Sequence, residues 1–300
     1  MKHNFKNTIL ALLPLAMLAL ASCSDEDAPT PLYHNPANFF TPADTATDAT
    51  SVLRRGFESK HGSYLLFNDT LQVNYAGLDI NGYPIYMCET IDVNYAVGQS
   101  LSSDKYTYTY ITTYEEQKKA VEYLEQYVLN HLSNQARPFS WMLSKVISGK
   151  LVSGAISKPY AVQGERCVCV ALDYIFQRER TDAQKQNLAQ RILSVLIQKI
   201  ASDHPKQLAG FYEISQGSYG ITHGFEDAER TAKLAELGFI GVSVSGNYYA
   251  PSMDTDVTQY ALATLTDTDE SFEKKWGAYP KVMRKFSIIK SVLSQVGYIY

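Results

Sequence analysis

Histidine is scarce in this chain and scattered. There are six, at positions 3, 34, 61, 131, 204 and 223, and no H-x-x-x-H pair occurs. That excludes the arrangement in which two imidazoles one helical turn apart hold a catalytic zinc, and no H-E-x-x-H is present anywhere. G-x-S-x-G, the P-loop and G-x-G-x-x-G are missing too, so neither a nucleophile elbow nor a phosphate-cradling loop can be argued. The charge balance, 27 basic against 31 acidic residues and a net −4, lacks the basic excess that nucleic-acid phosphates require. Cysteine is rare. Of the four, Cys23 directly follows the expected leader, and Cys88, Cys167 and Cys169 make an odd number that excludes a fully paired disulfide framework. Cys167 and Cys169 lie two apart in a strand-like run. They share one face with poor geometry for bonding to each other, and C-x-C alone is a weak zinc signal, so buried free thiols are expected.

The N-terminus carries the strongest local signal. Lys2, His3 and Lys6 precede an apolar run from Ile9 to Leu20, shorter than the ~20 residues of a membrane span. It reads as a signal peptide over residues 1–22. Leu20-Ala21-Ser22-Cys23 resembles a bacterial lipobox, which makes Cys23 the expected lipidation site and the lipid the expected membrane anchor; the plainer alternative is a secretory signal ending near a cysteine. Ser24-Asp25-Glu26-Asp27 resembles the signal that sends some Gram-negative lipoproteins to the cell surface, and equally a solvated linker. Residues 23–49, rich in Asp, Pro, Ala and Thr, are expected to form a flexible tether, with a single domain over residues 50–300.

Within that domain the spacing predicts a short helix over residues 51–59 stopped by Gly62, then a strand at Tyr64–Phe67. Short strand pieces follow around the turn signals Asn81-Gly82 and Tyr83-Pro84. The 22 tyrosines are the compositional excess, and Tyr106, Tyr108 and Tyr110 alternate with threonine as a strand. Their shared face is either cross-strand packing, the preferred reading, or a platform for a glycan or peptide ligand. A helix is predicted from Tyr114 to Asn134, then strands over Phe139–Ile147 and Ala161–Phe176. The most regular helix spans Thr181–Asp203. Thr181 and Gln184 form a capping box, and Leu188, Ile192, Val195, Leu196 and Ile200 mark its apolar stripe. Gln190, Arg191, Ser194 and Gln198 mark a polar face. Helices follow near residues 207–214, 226–237 (stopped by Gly238), 254–265 and 281–295, with one more turn at Phe272–Trp276. Strands first and helices later imply an α+β fold, a small mixed sheet on the central helix with a helical C-terminal half.

The order of these pieces resembles the substrate-import-associated zinc metallohydrolase lipoproteins, a metallopeptidase family of Gram-negative surface uptake systems with a zincin-like fold. The resemblance rests on Tyr64-Leu-Leu-Phe-Asn, Pro138–Ile147, Arg166–Tyr174, Asp203-His-Pro-Lys-Gln-Leu, Phe211-Tyr-Glu-Ile-Ser, Gly238–Ile240, Tyr248-Tyr-Ala and the Lys281–Ser294 helix. It implies zinc as cofactor, held by H-E-x-x-H on the central helix. Here Gln190 and Ser194 occupy the two histidine positions, Arg191 the glutamate, and Gln259 the final acidic position. Amides and a hydroxyl are poor zinc ligands, and a guanidinium is permanently protonated and cannot act as a base. The resemblance thus implies a catalytically silent, zinc-free member: an outer-membrane, surface-exposed accessory or binding component of an uptake complex. Two alternatives stand beside it. One is a hydrolase with a displaced metal site at His223, Glu226 and Glu229; the other is a glycan- or peptide-binding module.

Overall fold

An eleven-residue strand, β5 (Ser140–Lys150), is the axis of the sheet. The computed structural model describes residues 39–91, 105–151, 153–243 and 249–300, and Phe39–Tyr300 form one compact unit. The expected leader, Cys23, the acidic run and the tether up to residue 38 lie outside the described residues. So does Tyr248 of the loop after Gly238.

The first half of β5 runs parallel to β1 (Tyr64–Leu66) on one side and to β8 (Val168–Ala171) on the other. Its second half pairs antiparallel with β4 (Lys105–Tyr110) and β6 (Ile156–Ser157), and β7 (Ala161–Gln163) closes the far edge antiparallel to β8. The sheet is therefore mixed. Its strands alternate up to a register shift between β4 and β5, past which Ile147 joins the second layer. Leu65, Trp141, Leu143, Val168 and Val170 face the helices, while Leu66, Met142, Cys167 and Cys169 face a smaller layer under Phe40, Tyr106 and Tyr108. Apolar residues on both faces explain why these strands read as continuous hydrophobic runs.

The chain is seated from Phe39 onward, ahead of the boundary expected near Thr50. Phe40 is buried, and Arg54 of helix α1 (Ala49–His61) donates to the carbonyls of Leu65 and Phe40 at 2.7 and 2.8 Å. Gly62 ends α1 in the left-handed region, φ 64°, as its position predicts. Strands β2 (Thr70–Leu78) and β3 (Pro84–Thr90) form a separate two-stranded hairpin whose tip holds Asn81-Gly82.

Two expected elements differ. Helix α2 spans Tyr114–Tyr127 and passes into a 3-10 turn at Leu129–His131, so it stops short of Asn134. The run Ala161–Phe176 is not one strand. A turn in which Gly164 N–H donates to the Cys167 carbonyl at 2.9 Å folds it into β7 and β8, and Asp173–Phe176 is a helical turn, α3. An apolar run is the same to the eye whether it crosses a sheet once or twice.

The central helix α4 (Asp182–Asp203) lies where its pattern put it. A short α5 (Ala209–Glu213) and α6 (Asp227–Glu236) follow, then α7 (Met253–Thr266), α8 (Asp269–Trp276) and α9 (Pro280–Gln295). Ser252 caps α7, accepting from the Thr255 N–H at 3.3 Å. Helix α4 packs on α7, and α7 on α9. The architecture is α+β, with the sheet against the central helix and the helical half beyond it.

Candidate functional site

The capping box of the central helix is complete. Gln184 N–H donates to Thr181 Oγ1 at 3.4 Å, and the Thr181 N–H to Gln184 Oε1 at 3.2 Å. With the start pinned, Leu188, Ile192, Leu196 and Ile200 point into the core, and the polar row is left toward the outside. Each polar residue has its own surroundings. Arg191 donates to Asn187 Oδ1 at 3.2 Å and lies 5.1 Å from the ring centre of Tyr160, a cation–π contact. Ser194 Oγ donates back to the Arg191 carbonyl at 2.7 Å. On α7, Gln259 Nε2 donates to the Val242 carbonyl at 2.9 Å, across the backbone of Gly241, where a Cβ would come within 2.8 Å of the amide. The structure does not gather the four around one opening. Gln190 lines one cavity and Arg191 another, and Ser194 and Gln259 line neither.

The cavity beside Gln190 is about 210 Å³. Its walls come from the end of α2, the outer face of α4 and the end of α7: Tyr127, Asn130, Gln186, Gln190, Leu265 and Thr266 among them. The Tyr127 hydroxyl is already committed to Asp182 at 2.6 Å, and His131 Nδ1 sits 3.3 Å from the Ile299 carbonyl.

His223 does not form a metal set. Its ring is buried and stacked on Phe225, centres 4.4 Å apart and planes at 19°, with neither ring nitrogen hydrogen-bonded. Burial, and then the charge of Arg230, hold its pKa below the ordinary imidazole value. Glu226 and Glu229 are exposed at the start of α6, where Arg230 pairs with Asp227. Among the described residues no group of three His, Cys, Asp or Glu side chains could hold a metal ion. The ring is buried against Phe225 while both carboxylates stay exposed.

The tyrosine strand faces inward. Tyr108 reaches Cys169 Sγ at 4.0 Å, and Tyr110 donates to Asp69 Oδ1 at 2.6 Å. Burial and that carboxylate push the Tyr110 phenol up to about 12. Half-buried rings and the engaged hydroxyls of Tyr108 and Tyr110 favour packing for this face. Cys167 and Cys169 are free, 4.0 Å apart at sulfur.

Sequence reasoning missed the most heavily charged place in the core. Lys285 Nζ meets Asp256 Oδ2 at 2.6 Å, and Tyr219 donates to the same oxygen at 3.0 Å. The ammonium lies 4.7 Å from the ring centres of Phe211 and Phe239, 5.1 Å from Tyr219 and 5.7 Å from Tyr260. Burial pushes Asp256 up to about 6 despite the neighbouring ammonium, and pushes Lys285 down. A signal existed: Lys285 falls on the apolar stripe of the last helix, between Val282 and Ile289. The cluster lines neither cavity on the central helix and ties α5, α7 and α9 together. The β2–β3 hairpin was also undervalued. It exposes Val73, Tyr75, Leu78, Tyr86 and Met87, with Ile80 fully in solvent.

Compared with family models, with curated proteins and with solved structures, the chain matches none.

Proposed function

We propose that this chain is a non-catalytic binding or accessory lipoprotein, held at the outer membrane and facing outward through a lipid on Cys23, in a nutrient-uptake system. Its domain is read as zincin-like in layout but spent of zinc chemistry. The observation that carries the reading is the chemistry of the central helix. At the positions where the resemblance asks for two imidazoles and a carboxylate stand Gln190, Ser194 and Arg191. Arg191 is engaged by Asn187 and Tyr160, and Ser194 by its own helix. A side chain already serving its helix, and a guanidinium that never loses its proton, can neither ligate zinc nor activate water. The apolar hairpin supports a life in an assembly, since exposed patches of this kind are what protein partners cover.

Elemental analysis of the purified full-length chain tests the reading, with less than stoichiometric zinc expected after exposure to the metal and removal of the excess. One tightly held zinc per chain, or peptide hydrolysis abolished by a chelator, overturns it. Metabolic labelling with palmitate tests the anchor: incorporation is expected in the wild type and lost in Cys23→Ser.

A further inference from the structure

Three carboxamides face one opening on the central helix. Asn130 comes from the turn after α2, and Gln186 and Gln190 lie four residues apart on α4. None of the three side chains makes a hydrogen bond to another described residue, and none is sealed from solvent. They line a cavity of about 210 Å³ together with Leu193, Leu265 and Thr266. The His131 imidazole is the one basic group in its lining, and no carboxylate, ammonium or guanidinium lines it.

That set of groups selects by chemistry. Each carboxamide offers a donor and an acceptor side by side. A cation would leave water and meet no counter-charge there, and an anion would meet only the one imidazole, which is costly. An apolar ligand would strip water from three amides and return no hydrogen bonds. An uncharged ligand carrying neighbouring hydroxyls answers the amides pair by pair, and its C–H face can lie on the leucines. The volume is below the ~300–1,000 Å³ of sites for drug-sized ligands, which limits the occupant to about one ring.

We propose that this cavity binds one neutral sugar ring of an uncharged glycan. The assignment rests on the reading of the chain as a binding component and names the ligand class at the position of Gln190.

The test is side-chain amide NMR on the full-length chain, titrated separately with glucose, galactose, mannose, xylose and their β-linked trisaccharides. Glucuronate and trialanine serve as the charged and peptide probes. At least one neutral sugar should shift the NH2 signals of Asn130, Gln186 and Gln190 together, and Gln186→Ala or Gln190→Ala should weaken its binding by about tenfold. Gln186 is exposed, so its variant keeps the wild-type Tm and separates lost binding from lost folding. If no neutral sugar moves the three signals, or if glucuronate or trialanine moves them as strongly, the proposal is overturned. A zinc-free chain that binds no sugar refutes only this site. A chain that holds zinc and still binds sugar refutes only the non-catalytic reading.

Discussion

Lys285 Nζ and Asp256 Oδ2 meet at 2.6 Å with neither side chain exposed to solvent. The pair joins the last helix to α7 inside a ring of aromatic faces, with Tyr219 bonded to both partners. Desolvation works against each charge, and their attraction works for both. Breaking the pair should therefore hurt more than removing it. Lys285→Met alone should cost about 3–5 kcal/mol, whereas Lys285→Met with Asp256→Leu should recover most of that loss. Urea unfolding of the two variants checks it, and equal losses would show that the charges do not act as a pair.

The same carboxyl gives a pH dependence. Its folded pKa of about 6 stands above the ordinary 3.8 because burial disfavours the charge. Between those values the folded chain holds the proton that the unfolded chain releases. The stability contributed by this group is therefore full below 3.8 and is lost as pH rises through about 6. Carbon-13 titration of the Asp256 carboxyl should show a midpoint near 6, and a midpoint near 4 would refute the desolvation argument.

Thr181→Ala should cost about 1 kcal/mol, because the first turn of the central helix loses the acceptor of its Gln184 N–H. Adding Gln184→Ala should cost little more, since the reciprocal bond fails with its partner. Chemical denaturation of the single and double variants measures both.

Gly238→Ala should destabilise by about 1–3 kcal/mol. The residue sits at φ 91°, closing a Schellman turn in which the Phe239 N–H donates to the Leu234 carbonyl at 2.9 Å, and a Cβ there would meet Ser215 Oγ at 2.8 Å. A Tm unchanged from the wild type would contradict both the strain and the crowding.

Thiol labelling of the native domain should modify Cys88 quickly and Cys167 and Cys169 only on unfolding. Cys88 is exposed, whereas the other two are buried. The Cys169 thiol is held up in pKa by its bond to Cys167 and by burial, which starves it of thiolate. Rapid modification of all three would mean that the second face of the sheet opens readily.

Much of the fold could be read along the chain. A cap followed by a 3.6-residue apolar stripe gave the central helix its bounds, and Gly62 and Gly238 stop helices because both take positive φ. What could not be read was where an apolar run turns back. Gly164 folds β7 onto β8 through a bond that needs both strands in place. Of the candidate site, the chemistry of Gln190, Arg191 and Ser194 was visible as residue types. The parting of Gln190 and Arg191 into two cavities, and the arrival of Asn130 beside Gln186 and Gln190, depend on how α2 crosses α4.

By itself the sequence determined most of the elements and the absence of an H-E-x-x-H pair. Those properties are local: a capping hydroxyl, a helical period, the absence of an imidazole. The tertiary structure alone decided the rest. It buried His223 against Phe225 while Glu226 and Glu229 stayed exposed, and it brought Lys285 to Asp256 across 29 residues of chain. It also left three amides, one from the turn after α2 and two from α4, without a described hydrogen-bond partner around one cavity. Residues far apart in sequence interact only once burial of the core has fixed the helices against one another, and no local pattern carries that information.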